Sequence, residues 1–251
     1  MLSRRHAEIV KLLDEEGTVA ITELARRLGV SAETIRRDLR PLSESGTVLK
    51  LHGAVGMVGK TGEAPFDRRM RQNAEAKRAI ARCVAATIRD GQSIMLDTGT
   101  TTSFLARELL GHRRLTVVTN SSDIARTLAT TNANKVYMAG GELRSDSGAA
   151  LGASAIEFIR KFTVDHAIIS AGAIDAGEGV MDYELEESEF ARVVLTRGAR
   201  TVVVTDHSKF ERRGLVQVCG FAEIGELVTE RAPPAEIAEA LAEAGARLTI
   251  A

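Results

Sequence analysis

Residues suited to binding a phosphorylated ligand follow an apolar run in the middle of the chain. They are Asp97, Thr98, Gly99, Thr100 and Thr101. A loop rich in glycine and hydroxyl groups that opens a helix offers backbone N–H donors, side-chain hydroxyls and the positive end of the helix dipole. This composition predicts a phosphate-binding loop, in which the Asp97 carboxylate binds hydroxyl groups of the same ligand.

Four other segments that end apolar runs carry polar or glycine residues of the same kind. They contain Asn120, Gly140 with Gly141, Asp175 and Lys209. Lys209 would add a positive charge for a phosphate, and Asn120 and Asp175 would bind hydroxyls of a polyol. Each residue also has a local alternative, as a helix cap, a turn or a surface charge. The convergence of five such segments favours a small phosphorylated sugar or polyol as the ligand.

The same region contains no recognisable catalytic motif. The groups available as a general base are Asp97, Asp175, Glu186, Glu187 and His207. They show no Ser-His-Asp spacing, no metal-ligand spacing and no phosphate loop of the Walker type, and Cys83 and Cys219 are far apart in sequence. We therefore predict no catalytic residues, no metal and no cofactor.

Short apolar runs that alternate with helical patterns would position these residues. The runs cover 93–96, 115–118, 135–139, 167–170 and 201–205, and helical patterns follow residues 101 and 122 and cover 154–161 and 186–197. Residues 66–89 form either one long helix or two stacked helices. The alternation predicts an α/β domain with a largely parallel sheet covered on both faces, which brings the carboxyl ends of the strands to one edge.

The beginning of the chain predicts a second chemistry, DNA binding. Apolar spacing indicates a helix that stops at Gly17, a short helix from Thr22 to Gly29, and a third helix with Ser31 as its N-cap. A tight turn between the second and third helices is typical of a helix-turn-helix. In that motif the first residues of the third helix reach base edges in the major groove.

Two short strands at 47–51 and 54–58 would form a wing after this motif. The residues that we predict to contact DNA are Ser31, Glu33, Thr34, Arg36 and Arg37 on the helix, and Lys50 and His52 on the wing. Residues 26–52 hold six lysines and arginines against three acidic residues, so the positive charge is local. A three-helix bundle with solvated arginines is the alternative. Pro41 is expected to kink or end the third helix beyond its base-reading turns.

Length and composition are consistent with two modules. The chain has 251 residues, 44% hydrophobic residues and a net charge of −1, as in a soluble globular protein. We assign 1–58 to a winged helix-turn-helix DNA-binding domain, 59–65 to a linker and 66–251 to an effector-binding domain. The sequence shows no membrane-spanning apolar run and no signal peptide, so a cytoplasmic location and no membrane partner are expected.

Seven segments together resemble the DeoR family of bacterial repressors. They are residues 34–39, 51–54, 77–81, 97–101, 118–121, 139–144 and 206–210, in the order found in the family. The resemblance implies a winged helix-turn-helix followed by a sensor domain whose fold is similar to ribose-phosphate isomerases and CoA transferases. It also implies a sugar-phosphate site lined by the loop from Asp97 to Thr101 with Asn120, Gly140, Gly141, Asp175 and Lys209.

These observations predict a DNA-binding repressor of a carbohydrate or polyol catabolic operon. A homodimer or homotetramer would bind double-stranded operator DNA, and a phosphorylated metabolite would release it. A sugar-phosphate isomerase-like enzyme that carries a DNA-binding appendage is the alternative from another class. An activator that needs its ligand is a third possibility, because the sequence does not determine the sign of regulation.

Overall fold

The computed structural model describes residues 4–45, 47–50, 53–57, 64–210 and 212–251. The chain divides into two compact units, Met1–Pro65 and Phe66–Ala251. The predicted DNA contact His52 and most of the predicted linker lie outside the described residues. For Lys50 only the backbone, at the end of a strand, is described.

The first unit combines three helices with a three-stranded antiparallel sheet. Its elements are α1 (Arg4–Glu16), β1 (Thr18–Ala20), α2 (Ile21–Arg27), α3 (Ala32–Glu44), β2 (Val48–Lys50) and β3 (Ala54–Met57). The strand order is β1-β3-β2. Apolar residues at helical spacing, including Ile9, Leu13, Leu24, Ile35 and Leu39, form one buried cluster with Val55 of β3. The predicted helix-turn-helix and wing are confirmed, and β1 is an addition.

The structure refines two local predictions in this unit. Pro41 does not end α3, which continues to Glu44, and the Ser45 N–H donates to the Pro41 carbonyl at 3.0 Å. A proline removes one backbone donor, but Leu42 directly after it is fully buried, and this packing keeps the last turn helical. Helix α2 begins at Ile21 after Ala20, one residue before the expected Thr22.

The second unit alternates helices and strands over most of its length. Its helices are α4 (Phe66–Arg71), α5 (Ala74–Ala85), α6 (Thr100–Glu108), α7 (Ser122–Leu128), α8 (Ala153–Ile159), α9 (Leu185–Leu195) and α10 (Ala235–Glu243). Its strands are β4 (Ser93–Leu96), β5 (Thr116–Thr119), β6 (Lys135–Met138), β7 (Val164–Ser170), β8 (Ala173–Asp175), β9 (Gly179–Asp182), β10 (Gly198–Val204), β11 (Val216–Cys219), β12 (Glu226–Thr229) and β13 (Arg247–Ile250). Short 3-10 helices lie at Leu109–Gly111, His207–Lys209 and Phe221–Glu223.

A seven-stranded parallel sheet forms the centre of this unit. Its strand order is β13-β12-β10-β7-β4-β5-β6. Strand β4 comes first in the chain, β5 and β6 follow on one side, and β7 then starts the other side. The sheet therefore has its topological switch point between β4 and β7, where α/β proteins of this kind bind ligands. The predicted α/β fold is confirmed, whereas β12, β13 and the antiparallel sheet β11-β9-β8 are additions.

The segment that opens this unit is two helices rather than one. Asn73 between them has a φ of 51°, and the buried Lys77 ammonium donates to the carbonyls of Arg69 at 2.5 Å and Gln72 at 2.9 Å. The Asn73 side-chain amide donates to Asp206 Oδ1 at 2.8 Å. The corner between α4 and α5 is therefore fixed to the chain after β10. Among the described helices, none has the length and apolar character needed to cross a membrane.

Candidate functional site

The first turns of α3 form the candidate DNA interface. Ser31 caps this helix as predicted, because its Oγ accepts the Thr34 N–H at 3.1 Å. The buried side chains of α3 face the core of the unit, which leaves Glu33, Arg36 and Arg37 exposed on the opposite side. This helix end is accessible to a DNA groove.

The exposed arginines of α3 differ in their contacts. Arg36 Nη1 lies 3.1 Å from Glu33 Oε2, and Arg40 Nε lies 3.0 Å from Glu44 Oε1. Within the described part of the chain, no ion pair involves Arg37. Arg37 could contact DNA without first losing a carboxylate partner, whereas Arg36 and Arg40 would have to exchange one. Arg40 was not predicted, because it follows the turns that usually read bases.

A partly buried ion pair fixes α3 in its unit. Arg5 of α1 holds both carboxylate oxygens of Asp38, with Nη2 at 3.1 Å from Oδ1 and Nε on Oδ2. The hydrogen bonds from Arg5 lower the pKa of Asp38. Sequence reasoning missed this pair, because its two residues are 33 positions apart. The pair ties the helix that presents the DNA-facing residues to α1.

A small pocket, with a cavity volume of about 10 Å³, lies beside the carboxyl ends of β4 and β5. It is lined by Asp97, Thr98, Asn120, Leu151, Asp182, Glu187, Phe190 and Ala191. Three of the predicted ligand-binding residues, Asp97, Thr98 and Asn120, therefore come together. The Thr98 hydroxyl donates to Asn120 Oδ1 at 2.9 Å, and Asn120 Nδ2 donates to the Ala150 carbonyl at 3.0 Å. These bonds hold the Asn120 amide in one orientation.

Asp97 is a buried carboxylate with one satisfied oxygen. Its Oδ2 accepts the Ser170 N–H at 2.9 Å and the Ser170 hydroxyl at 3.3 Å. Its Oδ1 is buried and has no hydrogen-bond partner in the described structure. Burial and, to a smaller extent, the charge of Asp182 raise the pKa of Asp97, whereas hydrogen bonds lower it. The net pKa is about 7. Asp97 does not cap α6, so its local alternative is excluded.

The raised pKa of the Asp97 carboxyl group predicts that the free energy of unfolding depends on pH in a specific way. Its pKa of about 7 lies above the ordinary 3.8, so its stabilising contribution is complete below about pH 4 and is lost as the pH rises to 7. The loss amounts to about 4 kcal/mol. We expect Asp97→Asn to remove this decline in the free energy of unfolding between about pH 4 and pH 7. Replacement of the exposed Asp67 should leave the decline in place.

Tyrosine fluorescence during urea unfolding measures this effect, because the chain has no tryptophan and both tyrosines, Tyr137 and Tyr183, lie in the second unit. An unchanged decline in the Asp97→Asn variant would show that another group titrates.

The predicted phosphate loop opens α6. Gly99 precedes the helix, and Thr100 and Thr101 are buried in its first turn. The Thr102 hydroxyl donates to the carbonyls of Asp97 at 3.1 Å and Gly99 at 3.0 Å. A Cβ atom on Gly99 would lie 1.8 Å from Ser170 Oγ and 2.7 Å from Ser170 Cβ. The loop therefore packs against β7 so closely that only glycine fits at position 99.

The other predicted ligand-binding residues do not line this pocket. Gly140 and Gly141 are exposed in the loop after β6. Asp175 Oδ1 accepts the N–H groups of Gly177 and Glu178, both at 2.9 Å, in the turn between β8 and β9. Lys209 lies in the 3-10 helix after β10.

Two acidic residues of the pocket were not predicted as ligand contacts. Asp182 ends β9, a strand of the unpredicted antiparallel sheet, and Glu187 lies in the first turn of α9. The sequence indicated Glu187 only as one of several possible general bases, none of which belongs to a motif. Across the described ranges, no group of three or more His, Cys, Asp or Glu residues could hold a metal ion.

A helix-turn-helix unit followed by an α/β unit with a pocket at the carboxyl ends of its parallel strands defines a transcription regulator with a sensor domain. Residues 5–61 match the model of the DeoR-like helix-turn-helix domain, and residues 72–231 match that of the DeoR C terminal sensor domain. The chain belongs to the DeoR family. The prediction of a DNA-binding transcriptional repressor is confirmed over that of an enzyme.

Curated relatives cover most of the chain. The chain is 34% identical over 233 residues to the HTH-type transcriptional repressor CsqR of Escherichia coli, which is 93% of this chain and 89% of the relative. It is 32% identical over 241 residues, 96% of each chain, to the glycerol-3-phosphate regulon repressor of the same species.

Solved structures with a similar fold include ribose 5-phosphate isomerase A from Methanocaldococcus jannaschii. The TM-score is 0.41 at 18% identity, and the match covers 55% of each chain.

Proposed function

We propose that this repressor controls a carbohydrate or polyol catabolic operon in the cytoplasm and leaves its operator when a phosphorylated metabolite binds the second unit. The observation that carries the proposal is the pocket beside the carboxyl ends of β4 and β5, where a buried carboxyl group lies next to a glycine and threonine loop that opens a helix. The other unit of the same chain presents Arg36 and Arg37 on an exposed helix end. Sensing and DNA binding are thus assigned to different units.

The proposed roles follow from the chemistry of each group. The loop from Thr98 to Thr101 binds the phosphate, since the first N–H groups of α6 have no partner within the helix. Asp97 and Asn120 bind hydroxyls of the ligand. The other proposed contacts are Gly140, Gly141, Asp175 and Lys209. Their loops would have to move towards the pocket to reach a ligand there.

Operator release follows from differential affinity. A small DNA-binding unit binds one half-site weakly, so a homodimer or homotetramer engages an operator of matching symmetry. Effector that binds the DNA-incompetent arrangement more tightly shifts the population away from DNA. Glycerol 3-phosphate is one candidate effector, supported by the relative named for its regulon. The similar identity to CsqR means that overall likeness does not choose the effector.

A mobility-shift titration tests this proposal. Full-length protein is added to the DNA upstream of its own gene at rising salt, and then to fixed salt with glycerol 3-phosphate, ribose 5-phosphate, fructose 6-phosphate or inorganic phosphate. We expect binding that weakens steeply with salt and release by one phosphate ester. Absence of salt-dependent binding would refute the DNA assignment. Tighter binding in the presence of an ester would instead identify an activator.

A further inference from the structure

The polar wall of the pocket carries acidic and neutral groups. Asp97, Asp182 and Glu187 contribute carboxylates, and Thr98 and Asn120 contribute a hydroxyl and an amide. Leu151, Phe190 and Ala191 form its apolar side. Among the residues that the structure describes, no lysine or arginine lines the pocket. Such a wall complements a ligand group that donates hydrogen bonds and carries no negative charge.

The three carboxylates come from separate elements that converge on one space. Asp97 follows β4, Asp182 ends β9 and Glu187 begins α9. The charge of Asp182 contributes to the raised pKa of Asp97, so these two carboxyl groups lie close enough to interact. Their convergence depends on the antiparallel sheet, which places the end of β9 beside the parallel sheet.

Arg144 is a cation near this wall, and other carboxylates share it. Arg144 Nε hydrogen-bonds Asp146 Oδ1 at 3.2 Å, and its Nη1 lies 4.0 Å from Glu184 Oε2. The charge of Glu187 also acts on Arg144 and raises its pKa, although burial of Arg144 opposes the rise. Arg144 is outside the lining of the pocket. It therefore reduces the negative charge at Glu187 without providing a contact for an anion.

The unpartnered oxygen of Asp97 is independent evidence for a ligand. Asp97 is only 6% exposed, and its Oδ1 is a buried acceptor without a donor. A buried polar atom without a partner costs free energy, and native proteins usually satisfy it. A ligand hydroxyl would donate to this oxygen. An ionised phosphate or carboxylate oxygen cannot donate to it, and would add negative charge beside the carboxyl groups of Asp182 and Glu187.

We infer that this pocket takes a neutral, hydroxylated end of the effector and excludes a second anionic group. The effector is then a phosphate monoester with free hydroxyls, and bisphosphates and phosphorylated carboxylic acids are rejected. This inference rests on the proposed function, in which the α6 loop binds a phosphate. Asp182 and Glu187 thereby become determinants of specificity.

Two matched ligand pairs, with inorganic phosphate, glycerol and ribitol as reference compounds, test the inference by calorimetric titration of the full-length protein. Glycerol 3-phosphate is compared with 3-phosphoglycerate, in which a carboxylate replaces the terminal alcohol, and fructose 6-phosphate is compared with fructose 1,6-bisphosphate. We consider the pair whose monophosphate binds more tightly. In that pair, we expect the compound with the second anionic group to bind at least about tenfold more weakly than the monophosphate, a difference of about 1.4 kcal/mol. Glu187→Gln should reduce this ratio several-fold, whereas Glu239→Gln on the exposed side of α10 should leave it unchanged.

The outcomes separate this inference from the proposed function. Equal or tighter binding of the anionic partner, or an unaltered ratio in Glu187→Gln, overturns the inference and leaves effector binding by the sensor intact. Inorganic phosphate that binds as tightly as the esters also overturns it. If glycerol or ribitol binds and no phosphate compound does, the phosphate part of the proposed function fails. The neutral-ligand pocket then stands if Glu187→Gln leaves that binding in place. Failure of every compound to bind overturns both.

Discussion

Replacement of Arg37 by alanine is expected to weaken operator binding by about tenfold to a hundredfold, which corresponds to about 1–3 kcal/mol. Arg37 is exposed on the second turn of α3. It lies one helical turn after Glu33, on the helix that Ser31 caps. Since no described carboxylate forms an ion pair with it, its guanidinium is available to a guanine edge or a phosphate.

Binding to operator variants distinguishes a base contact from a phosphate contact. If Arg37 reads a base, Arg37→Ala lowers the affinity for the natural operator and relaxes preference at one base pair. Arg40→Ala provides the matched control, because Arg40 lies on the same face but pairs with Glu44. A uniform loss over all sequences would assign Arg37 to a phosphate and move base reading to Arg36. Unaltered affinity of Arg37→Ala would remove α3 from the proposed interface at this position.

Replacement of Gly99 by alanine is expected to abolish the response to effector and to leave operator binding in place. The added Cβ would overlap Ser170, whose Oγ can rotate away but whose own Cβ would remain at 2.7 Å. The loop must therefore move away from β7, and the first N–H groups of α6 move with it. Mobility shifts with increasing phosphate ester measure the result as a repressor that stays on DNA.

Two variants control for a general effect of alanine. A Cβ atom added to Gly111 would meet open space, and the φ of this residue is not positive, so Gly111→Ala should respond normally. Ser170→Gly removes both clashing atoms, so the double variant Gly99→Ala with Ser170→Gly should regain part of the response. A normal response of Gly99→Ala alone would contradict the role of this loop. Loss of DNA binding in that variant would show that the substitution disturbs more than the sensor.

Two aspartates that follow apolar runs occupy different places in the structure, since Asp97 lines the pocket and Asp175 does not. Asp97, Thr98 and Asn120 lie together, because β4 and β5 are adjacent parallel strands and their carboxyl ends adjoin. Asp175 ends a strand of a separate antiparallel sheet, and its carboxylate caps its own turn. The sequence shows an aspartate after an apolar run in both cases, so the run alone cannot tell which sheet it joins.

The sequence by itself determined the local elements of this protein and its class. Caps, helical periodicity and βα alternation are encoded within a few residues, so the helix-turn-helix, the wing and the parallel sheet could all be predicted. The tertiary structure alone decided which distant groups meet. Arg5 with Asp38, and Asp97 with Asp182, are brought together by packing and strand order. Burial then gives Asp97 its raised pKa and its unpartnered oxygen, because only folding removes water from a carboxylate.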